Sequence, residues 1–362
     1  MVSPAKHLLV GSVEAYGGKS TVILGILHHL VQQGIDTAYG KPVGNSVEDN
    51  LVGMSDKNRR FLADFFQLSE KQLRSPLIAF QPETIIERLK EADSQDYGQQ
   101  LKSYVAEFES SFVLLEGPTT LGEGSLFGLS IGEMAETIDA PVLLVARYDP
   151  LSLVANLLIA KQSLGDRLIG TIINNTPESK ISEVETLIQP YLENRGVPVF
   201  GILPQDRLLN SVSVRELSRR LDAKVLCRAD RLDLMVENLT IGAMNVNSAL
   251  EYFRQRSNMV VVTGSDRTDL QMAALETSTN CLILTGHVEP TPLILSRAED
   301  LEIPILAVDS DTLTTVEIVD AAFGCVPIDE PIKIKRLNQI AVERVDFHRL
   351  FRTLGLQPAL MA

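Results

Sequence analysis

The chain has 362 residues, 45% hydrophobic and 22% charged, which suits about two or three globular domains and excludes a disordered or collagen-like chain. Its net charge of −14 repels phosphate backbones, so nucleic acid is excluded as a general partner, while local anion sites built from backbone amides stay open. Three scattered cysteines (Cys227, Cys281, Cys325) form no CxxC pair, so neither a disulfide framework nor a cysteine zinc site is expected, and a reducing cytoplasm fits.

In chain order, short strands apolar on both faces are expected at His7–Val13, Thr37–Val43, Phe112–Gly117, Pro141–Arg147, Leu168–Asn174 and Val197–Leu203. A covered parallel sheet needs strands of that kind. Helical periodicity separates them. In Thr21–Gln33 the residues Val22, Ile23, Ile26, Leu27, Leu30 and Val31 make one stripe, and Gly34 closes the helix. Leu151–Leu164 and Ile181–Asn194 repeat the pattern. This alternation predicts a doubly wound, mostly parallel α/β domain over residues 1–205. A smaller α/β domain is expected over 206–335. Its strands are Lys224–Arg228, Met259–Thr263, Cys281–Thr285 and Pro304–Val308, and its helices Val212–Leu221, Asn247–Gln255, Asp269–Thr277 and Thr312–Phe323. Residues 336–362 form an amphipathic C-terminal segment. Its Leu337, Ile340, Val345, Leu350 and Phe351 supply more apolar surface than a solvated tail would keep, so the segment either self-associates or docks a partner, a homo-oligomer being expected, or it packs on its own domain. No apolar run approaches the ~18 residues that span a bilayer, and the first residues lack the pattern of a signal peptide. His28, His29, His287 and His348 have no ligand spacing and are expected at surfaces or interfaces.

The strongest local signal is Gly11-Ser-Val-Glu-Ala-Tyr-Gly-Gly-Lys-Ser-Thr21, between the first strand and the first long helix. A phosphate-binding loop requires that context, because backbone N–H groups and the helix N-terminus together attract anions. Gly17 and Gly18 permit positive φ, Lys19 would reach the terminal phosphates, and Ser20 would ligate Mg²⁺. The spacing departs from the usual pattern, since Val13 stands where the first glycine is expected. Lys41 ends the second strand and is read as a phosphate contact or a surface lysine. Asp56 is an N-cap or an outer-sphere Mg²⁺ carboxylate. Glu116 is a metal ligand, a general base or a solvated strand-end acid. Asn174 reads an adenine edge or belongs to a plain turn.

Taken together, Ser12–Ser20, Lys41-Pro42-Val43, Ser55-Asp56, Leu115-Glu116-Gly117, Gly170–Asn174 and Gly201-Ile-Leu-Pro204 resemble dethiobiotin synthetase and its relatives in the P-loop class that includes cobyrinate amidases. The resemblance implies a nucleotide site of Glu14, Gly17, Gly18, Lys19, Ser20, Thr21, Lys41 and Asn174, the last on the base. It also implies Mg²⁺ held by Ser20, Asp56 and Glu116. The second half resembles the DRTGG domain through Gly264-Ser-Asp-Arg-Thr-Asp269, where the two glycines that close the family motif are replaced. Either Ser265 or Asp266 caps the following helix there, or the turn amides with Arg267 bind an anionic effector, with Asp266, Arg267, Thr268 and Asp269 as its residues.

This domain order is similar to the N-terminal half of long bacterial phosphate acetyltransferases. The chain stops where their catalytic domain would begin, so acetyl-phosphate chemistry is not expected. The implied function is a cytoplasmic regulatory or scaffold protein that binds ATP, or another purine nucleotide, with Mg²⁺ and engages a protein partner. An ATP-dependent ligase or carboxylase is the alternative.

Overall fold

The computed structural model describes residues 5–15, 17–45, 62–242, 245–286, 289–324 and 331–356. The chain forms two units, Met1–Gln205 with Asp329–Ala362, and Asp206–Ile328.

The first unit is built on a seven-stranded sheet in which every paired strand runs parallel. In chain order its strands are β1 (His7–Ser12), β2 (Thr37–Gly40), β4 (Leu73–Arg74), β6 (Phe112–Glu116), β7 (Val142–Arg147), β8 (Leu168–Thr176) and β9 (Val199–Pro204). Two short strands, β3 (Val43–Asn45) and β5 (Ile78–Phe80), pair separately. The spatial order is β4-β2-β6-β1-β7-β8-β9. Every residue of β6 is buried, and β7 is buried up to Arg147, so both faces of the sheet are covered. At β1 the chain changes its direction of travel across the sheet: β6 inserts on one side and β7 on the other. The carboxyl edge at such a switch is where open α/β sheets bind ligands.

Helix α1 (Lys19–Gln32) follows β1 and buries Val22, Ile23, Ile26, Leu27 and Leu30, the predicted stripe without Val31. Gly34 ends it at φ 69, a conformation open to glycine. The segment expected to stand apart from residue 336 onward belongs to this first unit. Helix Pro331–Arg344 lies along α1, where a Cβ on Gly25 would stand 3.1 Å from Ala341 Cβ. Val345 bridges Gly201 antiparallel, and the Asp346 N–H donates to Phe200 O at 2.7 Å. In helix Phe347–Leu354, Phe347 stacks on His29 with ring centroids 4.0 Å apart. Leu337, Ile340, Val345, Leu350 and Phe351 are therefore buried within the unit. Their apolar surface packs on α1 and β9, as the own-domain reading of this segment has it.

The second unit has a five-stranded sheet of β11 (Lys224–Cys227), β13 (Asn238–Gly242), β14 (Met259–Gly264), β15 (Thr279–Thr285) and β16 (Ile305–Val308), in the order β11-β16-β15-β14-β13. Only β11 is antiparallel. A separate pair joins β10 (Val212–Ser213) to β12 (Met235–Val236). Alternate residues feed two cores. Val261, Leu282 and Leu284 meet helices Val246–Arg254, Thr268–Leu275 and Pro292–Asp300, while Val260, Val262, Cys281 and Ile283 meet Val214–Arg220 and Thr312–Gly324. The short pair β10 and β12, strand β13 and helix Pro292–Asp300 were not expected. Edge strand β13 mixes polar Asn238 and Thr240 with apolar residues and ends in glycine, and helix Pro292–Asp300 opens with a proline that a first helical turn tolerates.

Candidate functional site

The site lies at the carboxyl edge of β1, β6, β7 and β8. The loop after β1 delivers its residues to the N-terminus of α1, where Gly18 is the N-cap in a left-handed conformation, φ 83. Lys19 follows, and its side chain is buried. Lys19 Nζ donates to Gly117 O at 2.5 Å and to Pro118 O at 3.4 Å, and stands 3.3 Å from Glu116 Oε1. The Ser20 hydroxyl donates to the same Glu116 oxygen at 3.0 Å, and the Tyr39 hydroxyl donates to Glu116 Oε2 at 2.6 Å.

Glu116 is thus a buried carboxylate ringed by donors. Burial alone would raise its pKa. The ammonium groups of Lys19 and Lys41 and the hydrogen bonds from Tyr39 and Ser20 outweigh burial and hold the carboxyl at about 2, against an ordinary 4.5. It is ionised at neutral pH. A buried carboxylate beside a hydroxyl offers the hard oxygen donors Mg²⁺ takes, with phosphate and water completing its shell. Among the described residues no group of three or more His, Cys, Asp or Glu could hold a metal by itself. Ser20 and Glu116 fit a Mg²⁺ that arrives with a nucleotide, and Asp56 lies outside the described residues.

The loop is pinned to β7 and β8. The Ser12 hydroxyl, hydrogen-bonded to both Val145 O at 2.9 Å and Glu14 O at 2.8 Å, underlies it. A Glu14 carboxylate oxygen accepts the Arg147 N–H at 2.6 Å. Asn174 Nδ2 donates to Gly17 O at 3.0 Å. The loop packs closely at both glycines: a Cβ on Gly17 would stand 2.5 Å from Ser12 Oγ, and one on Gly18, whose φ of 83 already favours glycine, would stand 2.0 Å from Asn174 Nδ2. Thr21 sits in the first turn of α1, and Lys41 follows β2, half-buried. The fold therefore gathers Glu14, Gly17, Gly18, Lys19, Ser20, Thr21, Lys41, Glu116 and Asn174 at one edge. Sequence reasoning missed Tyr39 and Ser12. Tyr39 had a signal, since it lies two residues before Lys41 on a strand end. Ser12 had none, because its role depends on β7 lying beside β1.

In the DRTGG-like turn neither Ser265 nor Asp266 caps the following helix, which corrects the capping reading. The N-cap of helix Thr268–Leu275 is Arg267, and no side chain caps it. Arg267 Nε instead reaches Asp269 at 3.3 Å. The turn is held by Gln271, whose Nε2 donates to Gly264 O and Ser265 O, both at 3.0 Å. Asp266 is exposed, and Thr268 opens the helix.

The described cysteines, Cys227 and Cys281, are buried thiols without a disulfide, while Cys325 and His287 lie outside the described residues. Among the described residues no helix is long and apolar enough to cross a membrane.

Comparison with known proteins agrees with this architecture. The sequence matches the AAA domain family over residues 6–213 and the DRTGG domain family over residues 216–322. A phosphate acetyltransferase of Synechocystis sp. is 25% identical over 380 residues, covering 98% of this chain and 53% of that protein. Another, from Nitratidesulfovibrio vulgaris, is 24% identical over 375 residues, covering 96% of this chain and 51% of its own. A cobyric acid synthase of Marinomonas sp. is 27% identical over 230 residues, covering 56% of this chain and 45% of that enzyme. The chain spans about half the length of the curated relatives it matches. With more than half of its residues matched by one family and a second following in register, the chain belongs to the AAA domain family and carries a DRTGG domain after it.

Proposed function

We propose that this chain is a cytoplasmic regulatory or scaffold protein that binds ATP, or another purine nucleotide, together with Mg²⁺ in its AAA domain. Its DRTGG domain would couple the nucleotide state to a protein partner. The observation that carries this reading is the convergence of Lys19, Ser20 and Glu116 at the N-terminus of α1. A cation for phosphate, a hydroxyl and carboxylate for the metal, and N–H groups at a helix start serve one ligand class together. Buried unpaired thiols fit a reducing compartment.

The test is a titration of ATP, GTP and ADP with and without Mg²⁺, read by melting temperature and calorimetry. A ligand at about 100 times its Kd adds about 2.7 kcal/mol of stability. No shift with any purine nucleotide would refute the reading. The likeness to a cobyric acid synthase favours an ATP-dependent ligase as a second reading. Phosphate release that requires a carboxylic acid co-substrate would establish the ligase, and binding without turnover the regulator.

A further inference from the structure

We infer, on the nucleotide-binding reading above, that Asn174 is a positioning residue of the phosphate loop. Its side-chain amide fixes the Gly17–Gly18 peptide so that the Gly18 N–H faces the phosphate, and it does not read the base. A peptide oxygen only accepts, so the Asn174 atom 3.0 Å from Gly17 O is the amide nitrogen. A trans peptide holds its C=O and N–H on opposite sides. Anchoring the Gly17 oxygen toward β8 therefore turns the Gly18 N–H away from β8, toward the start of α1. No described residue accepts a hydrogen bond from that N–H. Glycine at 18 and asparagine at 174 fit each other: φ +83 strains any L side chain, and the Cβ position is taken by Nδ2.

Asn174 is held rigidly enough for this task. It sits near the carboxyl end of β8, in register with Arg147 of β7, and its own carbonyl accepts the Tyr148 N–H at 2.8 Å. Arg147 in turn gives its N–H to Glu14. The β7–β8 edge thus grips the loop at Glu14 and at Gly17, with Ser12 tied to Val145 beneath it. The phosphate cradle is set by neighbouring strands before any ligand arrives.

The experiment compares wild type with Asn174→Ala and Asn174→Asp in calorimetric titrations of MgATP, MgGTP and magnesium tripolyphosphate, which carries phosphates without a base. Both variants are expected to bind all three probes about tenfold more weakly, with the ATP-to-GTP ratio unchanged. Hydrogen exchange of the 11–21 segment in ligand-free protein should rise in both. A variant that loses ATP but keeps tripolyphosphate, or that changes only the ATP-to-GTP ratio, overturns the inference and assigns Asn174 to the base. Unchanged affinities overturn it too. Where tripolyphosphate binds wild type too weakly to measure, exchange decides, and unchanged protection of 11–21 overturns the inference. Wild type that binds none of the probes defeats the nucleotide reading itself, and the inference with it. Should Asn174→Ala fail to fold, the isosteric Asp variant, which sets a carboxylate against the Gly17 oxygen, carries the same test.

Discussion

Lys19 Nζ lies 3.3 Å from Glu116 Oε1, with the two side chains only 9% and 5% exposed. The ammonium has acceptors at Glu116, Gly117 and Pro118, so the cation of the phosphate loop is neutralised inside the protein when no ligand is bound. On the proposed nucleotide-binding reading, a phosphate would have to replace these partners. Lys19→Met should therefore abolish the nucleotide-dependent melting shift. It should also cost about 3 kcal/mol of ligand-free stability by leaving a buried carboxylate without its nearest cation. Adding Glu116→Gln should restore most of that stability but not the shift. Urea unfolding of the four proteins in this cycle measures the coupling. A Lys19→Met protein that keeps its full nucleotide shift would remove Lys19 from the site.

The same carboxylate gives a pH signature. Its pKa is about 2 in the fold against an ordinary 4.5. A depressed pKa contributes stability that is fully present above the unfolded value and is lost as pH falls through the folded one. The window therefore runs from 4.5 down to about 2, and the difference amounts to about 3 kcal/mol. Wild type should lose stability across that window more steeply than Glu116→Gln. Parallel pH profiles for the two proteins would show that Glu116 contributes nothing to acid sensitivity.

The contact between α1 and the C-terminal helices predicts a packing effect. Gly25 has Ala341 Cβ 3.1 Å and Leu337 Cγ 4.0 Å from where its own Cβ would stand. Gly25→Leu overfills that contact and should cost about 1–3 kcal/mol, against the gain in helix propensity expected at an open position. Deleting residues from Pro331 onward should destabilise the first unit, because it uncovers the α1 face that Leu337 and Ala341 now bury. Calorimetric melting checks both. A truncated protein that melts like wild type would contradict the packing described here.

In the DRTGG domain, the residue that matters locally is Gln271. Gln271→Leu leaves the Gly264 and Ser265 carbonyls without their donor and should cost about 2 kcal/mol in chemical denaturation. Asp266→Ala should cost under about 0.5 kcal/mol, as expected for an exposed side chain that caps nothing. The reverse order would restore the capping role that the sequence offered for Ser265 or Asp266.

The sequence by itself determined the local parts of this protein. Apolar strands alternating with 3.6-residue stripes lead to a covered parallel sheet, and glycines ahead of Lys19 and Ser20 at a helix start mark an anion cradle. These are short-range properties, carried by neighbours along the chain. Tertiary structure decided the rest. Tyr39 meets Glu116 because β2 pairs with β6, Ser12 is held because β7 lies beside β1, and Asn174 reaches Gly17 because β8 follows β7. The final helices pack within the first unit because Gly25 lets Ala341 approach α1 and Val345 bridges Gly201 of β9. Each of these depends on strand order and on close approach between segments distant in sequence, which residue pattern along one chain does not encode.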